Sequence, residues 1–374
     1  MKITFVLSSG FDLSGGDRVI ASYAERLHQR GHDVFVISPP KWKPTLGAQV
    51  KSLLKGRGLI HVNKRSHFDD MAVPRHTIDR YRPVTDSDVP DADVVVATWW
   101  ETAEWVANLS KAKGAKAHLI QHHEVFDYLP KERAKACYLL PLHKITIAQW
   151  LADLMRTQYN DSNVSLVPNS VDTHKFYAPL RGKQLTPTVG LLYSSIFWKG
   201  CDITLAAFSL AQQQIPNLRL VAFGDHQPPD SLLPAGTEYF YNPAQNAIKD
   251  VYAQCDAWLF GSRSEGFGLP ILEAMACRTP VIGTPVGAAP ELLADGAGIL
   301  VKPEDPEDMA KAIVRLCYFS EAQWRAMSEA AYAKAIGYTW DDATDRLEAA
   351  FYRAIEQDRS SKPVSTDAIK TVEC

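Results

Sequence analysis

Short apolar runs and amphipathic stretches alternate along most of the chain. ITFVL (residues 3–7) is β-branched and aromatic, and the loop SSGFDLSGGDR follows it. VIASYAERLHQRGH then carries apolar positions at helical spacing as far as Gly31, and DVFVIS is again a continuous apolar run. A 3.6-residue period between two such runs predicts a strand–helix–strand unit with parallel strands. ADVVVAT (residues 92–98), a helix from Trp99 onward, AKAHLIQHH and HKITIAQ extend the series.

The pattern resets at SLVPNSVDTHKF, where Pro168, Asn169 and Asp172 mark a turn. The stretch through Arg181, Gly182 and Pro187 reads as a linker. A second series then begins with TVGLLYSS, CDITLAAFSLAQQQ, LRLVAFGD, TEYFYN and IKDVYAQC. It continues through AWLFGS, LPILEAMAC, PVIGT, GAGILV and PEDMAKAIVRLC. TWDDATDRLEAAFYRAIEQ is a last amphipathic helix, and the polar remainder has too few apolar residues to fold. The expected organisation is α/β, with Rossmann-like domains over residues 1–167 and 168–338. A closing helix over 339–357 and a disordered tail over 358–374 complete it. At 374 residues the chain is long for one core, and two such domains facing each other across a cleft make a binding architecture.

Composition narrows the choice of ligand. The formal net charge is −3, which gives no support to a nucleic-acid partner. Six cysteines are scattered without a CxxC pair or a Cys/His cluster, the pattern of reduced thiols in a cytoplasmic protein and not of a zinc site. The opening MKITFVLSSG has too short an apolar run for a signal peptide, and no stretch approaches the ~18 apolar residues of a membrane span. Charge is uneven in one place. Residues 41–67 contain no acid, and Lys41, Lys43, Lys51, Lys55, Arg57, Lys64 and Arg65 alternate with Trp42, Leu46, Val50, Leu53 and Leu54. Such a segment is either a solvated loop and helix or a surface that meets an anionic membrane or acceptor.

Four groups of residues carry candidate chemistry. Gly15 and Gly16, between the first strand and the first helix, allow backbone N–H groups to approach a phosphate. The loop is not GxGxxG, and no acid ends the second strand, so a dinucleotide site is not supported. Lys199, in FWKGCD beside a helix start, can reach a diphosphate as a point charge. Glu265 and Glu273, in SEGFGLPILE, flank a strand-to-helix turn. The carboxylates suit vicinal hydroxyls, and the amides of Gly266, Phe267, Gly268 and Leu269 suit phosphate or sugar oxygens. That combination fits a sugar nucleotide; a solvated first-turn glutamate is the plain alternative. His122 and His123 end a strand of the first domain, with no partners that would make them metal ligands.

With these residues assembled, the chain resembles glycosyltransferase family 4, the retaining, metal-independent enzymes of the GT-B fold. SRSEGFGLPILEAMACRTPVI is similar to the family's donor-binding signature, including two glutamates with seven residues between them. SGGDRVIASYAERLHQRGHDV, VPNSVDTHKF, WKGCDITLAAF and TWDDATDRLEAAFYRAI resemble its other characteristic segments, over residues 2–356 in all. The resemblance implies a closing helix that crosses back onto the first domain. It assigns donor phosphates to Gly15, Gly16 and Lys199, the transferred sugar to His123 (His122 as fallback) and Glu265, and the ribose to Glu273. The implied reaction moves a hexose to a saccharide or lipid-linked acceptor in surface-glycan assembly, without a cofactor or metal. UDP-glucose is the first donor and GDP-mannose the second, with base readout near residues 239–242. The rivals are a GT-B sugar-nucleotide epimerase and a non-catalytic nucleotide-sugar-binding subunit.

Two departures stand out. The family's arginine after the first strand of the second domain is missing from VGLLYSSIFWKG, so hydroxyls of Ser194 and Ser195, or Arg263, are expected in its place. Arg278 stands where the family usually has glycine.

Overall fold

The computed structural model describes residues 1–42, 44–54 and 65–360. The chain divides into two compact units. One comprises Met1–Thr146, Met155–Ser165 and the chain from Thr344 onward, and the other Ile147–Leu154 and Leu166–Ala343.

In the first unit, β1 (Lys2–Val6), α1 (Gly15–Gln29), β2 (Asp33–Ser38), α2 (Leu46–Leu54) and β3 (Arg75–Thr77) follow one another. Then come β4 (Val94–Ala97), α3 (Trp100–Ala107), β5 (Ala115–Ile120), α4 (Lys131–Ala136), β6 (His143–Thr146), α5 (Gln149–Gln158) and β7 (Val164–Leu166), with α5 up to Leu154, and Leu166 of β7, counted in the second unit. The sheet order is β3-β2-β1-β4-β5-β6-β7, and the ladders from β3 to β6 are parallel. Chain order reverses between β1 and β4, so the loops leaving those strands part around a crevice at their carboxyl ends. VVVA of β4 is buried at every position, as expected of a strand covered on both faces.

The second unit holds β8 (Thr188–Leu192), α6 (Cys201–Gln214), β9 (Arg219–Gly224), β10 (Glu238–Tyr241), α7 (Ile248–Ala253) and β11 (Ala257–Phe260). It continues with α8 (Leu269–Ala276), β12 (Val281–Gly283), α9 (Ala289–Leu292), β13 (Gly298–Leu300), α10 (Pro306–Cys317) and α11 (Glu321–Ile336). Its sheet order is β10-β9-β8-β11-β12-β13, all parallel. Here the reversal lies between β8 and β11. Val189, Leu191, Phe208, Leu220, Leu259, Ile313 and Trp324 join the sheet to its helices in one core.

The closing helix α12 (Trp340–Ser360) packs on the first unit from Thr344 on. Phe351 meets Phe5 edge-on with ring centroids 6.3 Å apart, Arg30 donates to Asp345 and Glu348, and His143 bonds Gln357 at 3.1 Å. The helix extends through Ser360, so the first three residues expected to be disordered are helical, and the rest of that tail lies outside the described residues.

Several local expectations need correction. α1 begins at Gly15, not Val19: Ser14 caps it by accepting the Asp17 amide, so both glycines sit in the first helical turn. The supposed linker is pinned, since Arg181 donates to the Cys255 carbonyl and the Thr279 hydroxyl and lies 4.8 Å from the Trp324 ring centre. α11 went unassigned because its alanine-rich sequence has little amphipathic periodicity, although Ser320 and Gln323 form a capping box at its start. Arg278 adopts φ 59°, the left-handed conformation that favours glycine after a helix. Its guanidinium offsets that cost by bonding Glu329 and the Ala178 carbonyl and lying 3.8 Å from the Tyr332 ring centre. Cys137, Cys201, Cys255, Cys277 and Cys317 are free thiols; Cys374 is outside the described residues.

Candidate active site

The switch point of the second sheet brings together the two loops that hold the sequence candidates. β8 and β11 are hydrogen-bonded neighbours; the loop after β8 carries Ser194 and Lys199, and the loop after β11 carries Arg263 and Glu265. Gly200 and Gly261 let these loops meet. A Cβ on Gly200, where φ is +63°, would stand 1.9 Å from the Gly261 carbonyl oxygen, so only glycine permits this approach.

That contact sets up the central pair: Lys199 Nζ donates to Glu265 Oε1 at 2.7 Å. The Ser262 hydroxyl donates to the same oxygen at 2.9 Å. Glu265 is 12% exposed and Lys199 29%, so the pair is partly withdrawn from solvent and less screened than a surface ion pair. Sequence reasoning assigned the two residues to different parts of a ligand; the structure places them in direct contact.

Beyond Glu265 the chain turns through Gly266 and Phe267 to Gly268, whose φ of +99° caps α8. The Gly266 carbonyl accepts the Trp150 indole N–H at 2.8 Å, and the Phe267 carbonyl accepts the Ala288 amide. Leu269 is the first residue of the helix. Glu273 lies in its second turn, only 5% exposed. The Tyr252 hydroxyl donates to Glu273 Oε2 at 2.8 Å, and Tyr252 is wedged edge-on against Trp258, Phe176 and Phe223. Glu273 is therefore a buried, hydrogen-bonded carboxylate and not a solvated first-turn residue.

Of the replacements considered for the missing arginine, Arg263 is engaged within the protein. Its guanidinium grips both oxygens of Asp202 at 2.8 and 2.7 Å, both oxygens of Glu304 and the Phe197 carbonyl. All five N–H donors are thereby used. Hydrogen bonding to Asp202 and then Glu304 holds its pKa above the usual arginine value. Ser194 accepts the Ile196 amide at 3.3 Å and directs its own amide to the Cys201 sulfur. The segment expected to be a base-reading loop, residues 239–242, is mostly strand β10, and the Tyr239 hydroxyl there donates to the His226 carbonyl.

In the first unit, the Gly16 carbonyl accepts a long 3.4 Å bond from the Gln121 side chain, which ties the helix start to the loop after β5. His122 and His123 lie on that loop. His123 Nε2 shares a 2.8 Å hydrogen bond with the Tyr159 hydroxyl, and its ring is tilted against Tyr138 at 5.4 Å. Burial, reinforced by the His122 charge, lowers its pKa to about 4, so the ring is neutral at pH 7. His122 Nδ1 lies 3.0 Å from the His123 carbonyl oxygen.

Two acids near these residues escaped sequence reasoning. Asp17 is buried in the first turn of α1 and accepts the Asp12 amide at 2.9 Å; burial first, and the Asp12 charge second, raise its pKa to about 7. Glu124, next to the histidines, accepts the Trp100 amide at 2.7 Å, and burial drives its pKa well above the carboxylate range. An acid directly after the paired glycines was the available signal for Asp17; Glu124 had none beyond its neighbours. Among the described residues, no group of three or more His, Cys, Asp or Glu side chains could hold a metal ion.

These features, two parallel α/β units with strand-end sites at their switch points, define a GT-B fold. Sucrose-phosphate synthase from Thermosynechococcus elongatus superposes with a TM-score of 0.68 at 16% identity, covering 96% of this chain and 100% of that one. HepE from Anabaena, solved in complex with UDP, gives 0.72 at 18% identity over 94% of this chain and 100% of its own. Residues 13–175 match the family described as Glycosyltransferase Family 4, and residues 186–318 match Glycosyl transferases group 1. The chain belongs to this glycosyltransferase family.

Among sequence relatives, D-inositol 3-phosphate glycosyltransferase of Mycobacterium leprae is 34% identical over 42% of this chain and 39% of its own length. The enzyme of the same name from Thermobifida fusca is 38% identical over 27% of this chain and 24% of its own. The chain spans less than half the length of these curated relatives.

Proposed function

We propose that the protein is a retaining, metal-independent glycosyltransferase. It moves a hexose from a nucleotide sugar, UDP-glucose first and GDP-mannose second, to a saccharide or lipid-linked acceptor in surface-glycan assembly. The observation that carries this reading is the Lys199–Glu265 pair at the switch point of the second sheet, with buried Glu273 on the helix that leaves it. A lysine, a partly buried carboxylate and a second carboxylate fixed by a tyrosine offer separate partners for diphosphate, sugar and ribose. HepE, which has the same fold, was solved with UDP-glucose, so that donor is the first to try.

On this reading the diphosphate displaces Glu265 from Lys199, and the freed carboxylate turns to the sugar hydroxyls. Lys199 then stabilises the charge that grows on the leaving phosphate as the anomeric C–O bond breaks. The acceptor oxygen forms its bond on the same face and passes its proton to that phosphate. Neutral His123 offers a hydrogen bond, not a charge, to the sugar. No side chain acts as nucleophile, and the protein contributes position and electrostatics.

The membrane contact belongs to the same proposal. α2 has no buried residue, and Leu46, Val50, Leu53 and Leu54 are exposed at helical spacing together with Trp42. Lys41 and Lys51 flank this apolar face. A basic amphipathic face of this kind suits the surface of an anionic bilayer, where a lipid-linked acceptor would be met. Residues 43 and 55–64 of the basic stretch lie outside the described residues, and among the described residues no helix is long and apolar enough to cross a membrane.

Incubation of the chain with a panel of nucleotide sugars, with the released nucleoside diphosphate measured, tests the reading. Slow hydrolysis of one donor is expected. Binding without release from any donor would favour the non-catalytic reading.

A further inference from the structure

Arg263 is the most heavily bonded side chain in the loop between β11 and α8. Besides its bonds to Asp202, Glu304 and the Phe197 carbonyl, its guanidinium lies 4.0 Å from the centre of the Phe197 ring, and its own amide donates to the Trp198 carbonyl at 2.8 Å. The side chain is only 14% exposed. Four segments meet on this residue: its own loop, the 3-10 turn Phe197–Lys199, the first turn of α6 through Asp202, and the loop before α10 through Glu304. Glu304 itself sits at φ 57°, an uncommon conformation for a residue other than glycine.

The placement along the chain is what matters. Arg263 is two residues ahead of Glu265, and the carbonyl it holds is two residues ahead of Lys199. One planar fork thus ties together the two segments that carry the central pair. It also neutralises two carboxylates, Asp202 and Glu304, whose uncompensated charge would oppose an anionic ligand.

We infer that Arg263 is a positioning residue for the nucleoside-diphosphate site: it braces the Phe197–Lys199 turn against the Glu265 loop and acts on the ligand through Lys199. The inference rests on the proposed function above. A brace and a direct ligand differ in one measurable respect. A brace has nothing to act through once Lys199 is gone, whereas a direct ligand keeps its own contact.

The test is a double-mutant cycle on the full chain, with UDP as the probe and calorimetry as the readout. Arg263→Lys keeps the charge but loses the planar fork, so it is expected to weaken UDP binding about tenfold with Lys199 present. In the Lys199→Ala background the same change is expected to alter binding less than about twofold, since non-additivity marks residues that share one interaction. Asp202→Asn/Glu304→Gln, which removes the brace's anchors without touching Arg263, is expected to weaken UDP binding as well.

Equal losses in both backgrounds, binding by Arg263→Lys that matches the unaltered chain, or tighter binding in the Asp202→Asn/Glu304→Gln variant would each overturn the brace alone. Failure of the unaltered chain to bind UDP or GDP would overturn the nucleotide-site reading, and the brace with it.

Discussion

Lys199 and Glu265 neutralise each other across 2.7 Å at the junction of β8 and β11. A diphosphate that needs Lys199 therefore has to compete with a carboxylate already in place. Glu265→Ala removes the competitor, so UDP should bind as well as or better than to the unaltered chain while turnover of the intact donor falls. Lys199→Ala should weaken UDP itself. Calorimetry with UDP beside a donor-hydrolysis rate separates the two. If Glu265→Ala lost UDP affinity to the same degree as Lys199→Ala, the division of labour between diphosphate and sugar would be wrong.

Glu273 should fail differently. Its proposed partner, the ribose, is present in UDP and in the donor alike, so Glu273→Ala should weaken both by about 1.5–3 kcal/mol, the cost of a charged hydrogen-bond pair. Tyr252→Phe removes only the donor that holds Oε2 and should produce a smaller loss in the same direction. Unchanged UDP binding in both variants would return Glu273 to a purely structural role.

How much of this was legible beforehand differs between the two switch points. SEGFGLPILE carries its chemistry in consecutive residues, so the glutamates and the strand-to-helix turn between them could be read directly. The Lys199–Glu265 contact depends on strand order, which places two segments more than 60 residues apart side by side, and no local pattern encodes that. The network around Arg263 was hidden for the same reason: its charge is visible in the sequence, but Asp202 and Glu304 reach it only through the fold. The alternating strands and helices were legible because the Rossmann pattern is local. α11 was not, because alanine supports a helix through propensity without marking a buried face.

Asp17 gives a pH dependence with a definite sign. Its folded pKa, about 7, is raised above the ordinary 3.8. Its protonation therefore favours the folded state: the contribution is complete below the unfolded value and is lost as pH rises through about 7. Asp17→Asn keeps the hydrogen-bonding shape without the titration. Its Tm should exceed that of the unaltered chain by more at pH 8 than at pH 5, by differential scanning calorimetry. A gap that stays constant across this range would show that Asp17 does not titrate within it.

The exposed face of α2 predicts a lipid dependence. Vesicles containing anionic lipid should retain the protein, neutral vesicles should not, and retention should weaken as salt screens the attraction. Leu46→Ser/Leu54→Ser, at two strongly exposed positions, should reduce co-sedimentation without affecting UDP binding. Equal retention by neutral and anionic vesicles, or by neither, would leave α2 a solvated helix.

The most direct test of the central claim is the anomeric configuration of the product formed in excess EDTA. The donor that shows hydrolysis would be incubated with a panel of saccharide acceptors, and the new linkage read by proton NMR. We expect transfer to proceed under chelation and an α-linked donor to give an α-linked product. A β-linked product, or transfer that appears only when manganese is restored, would contradict the retaining, metal-independent mechanism built on Lys199, Glu265 and Glu273.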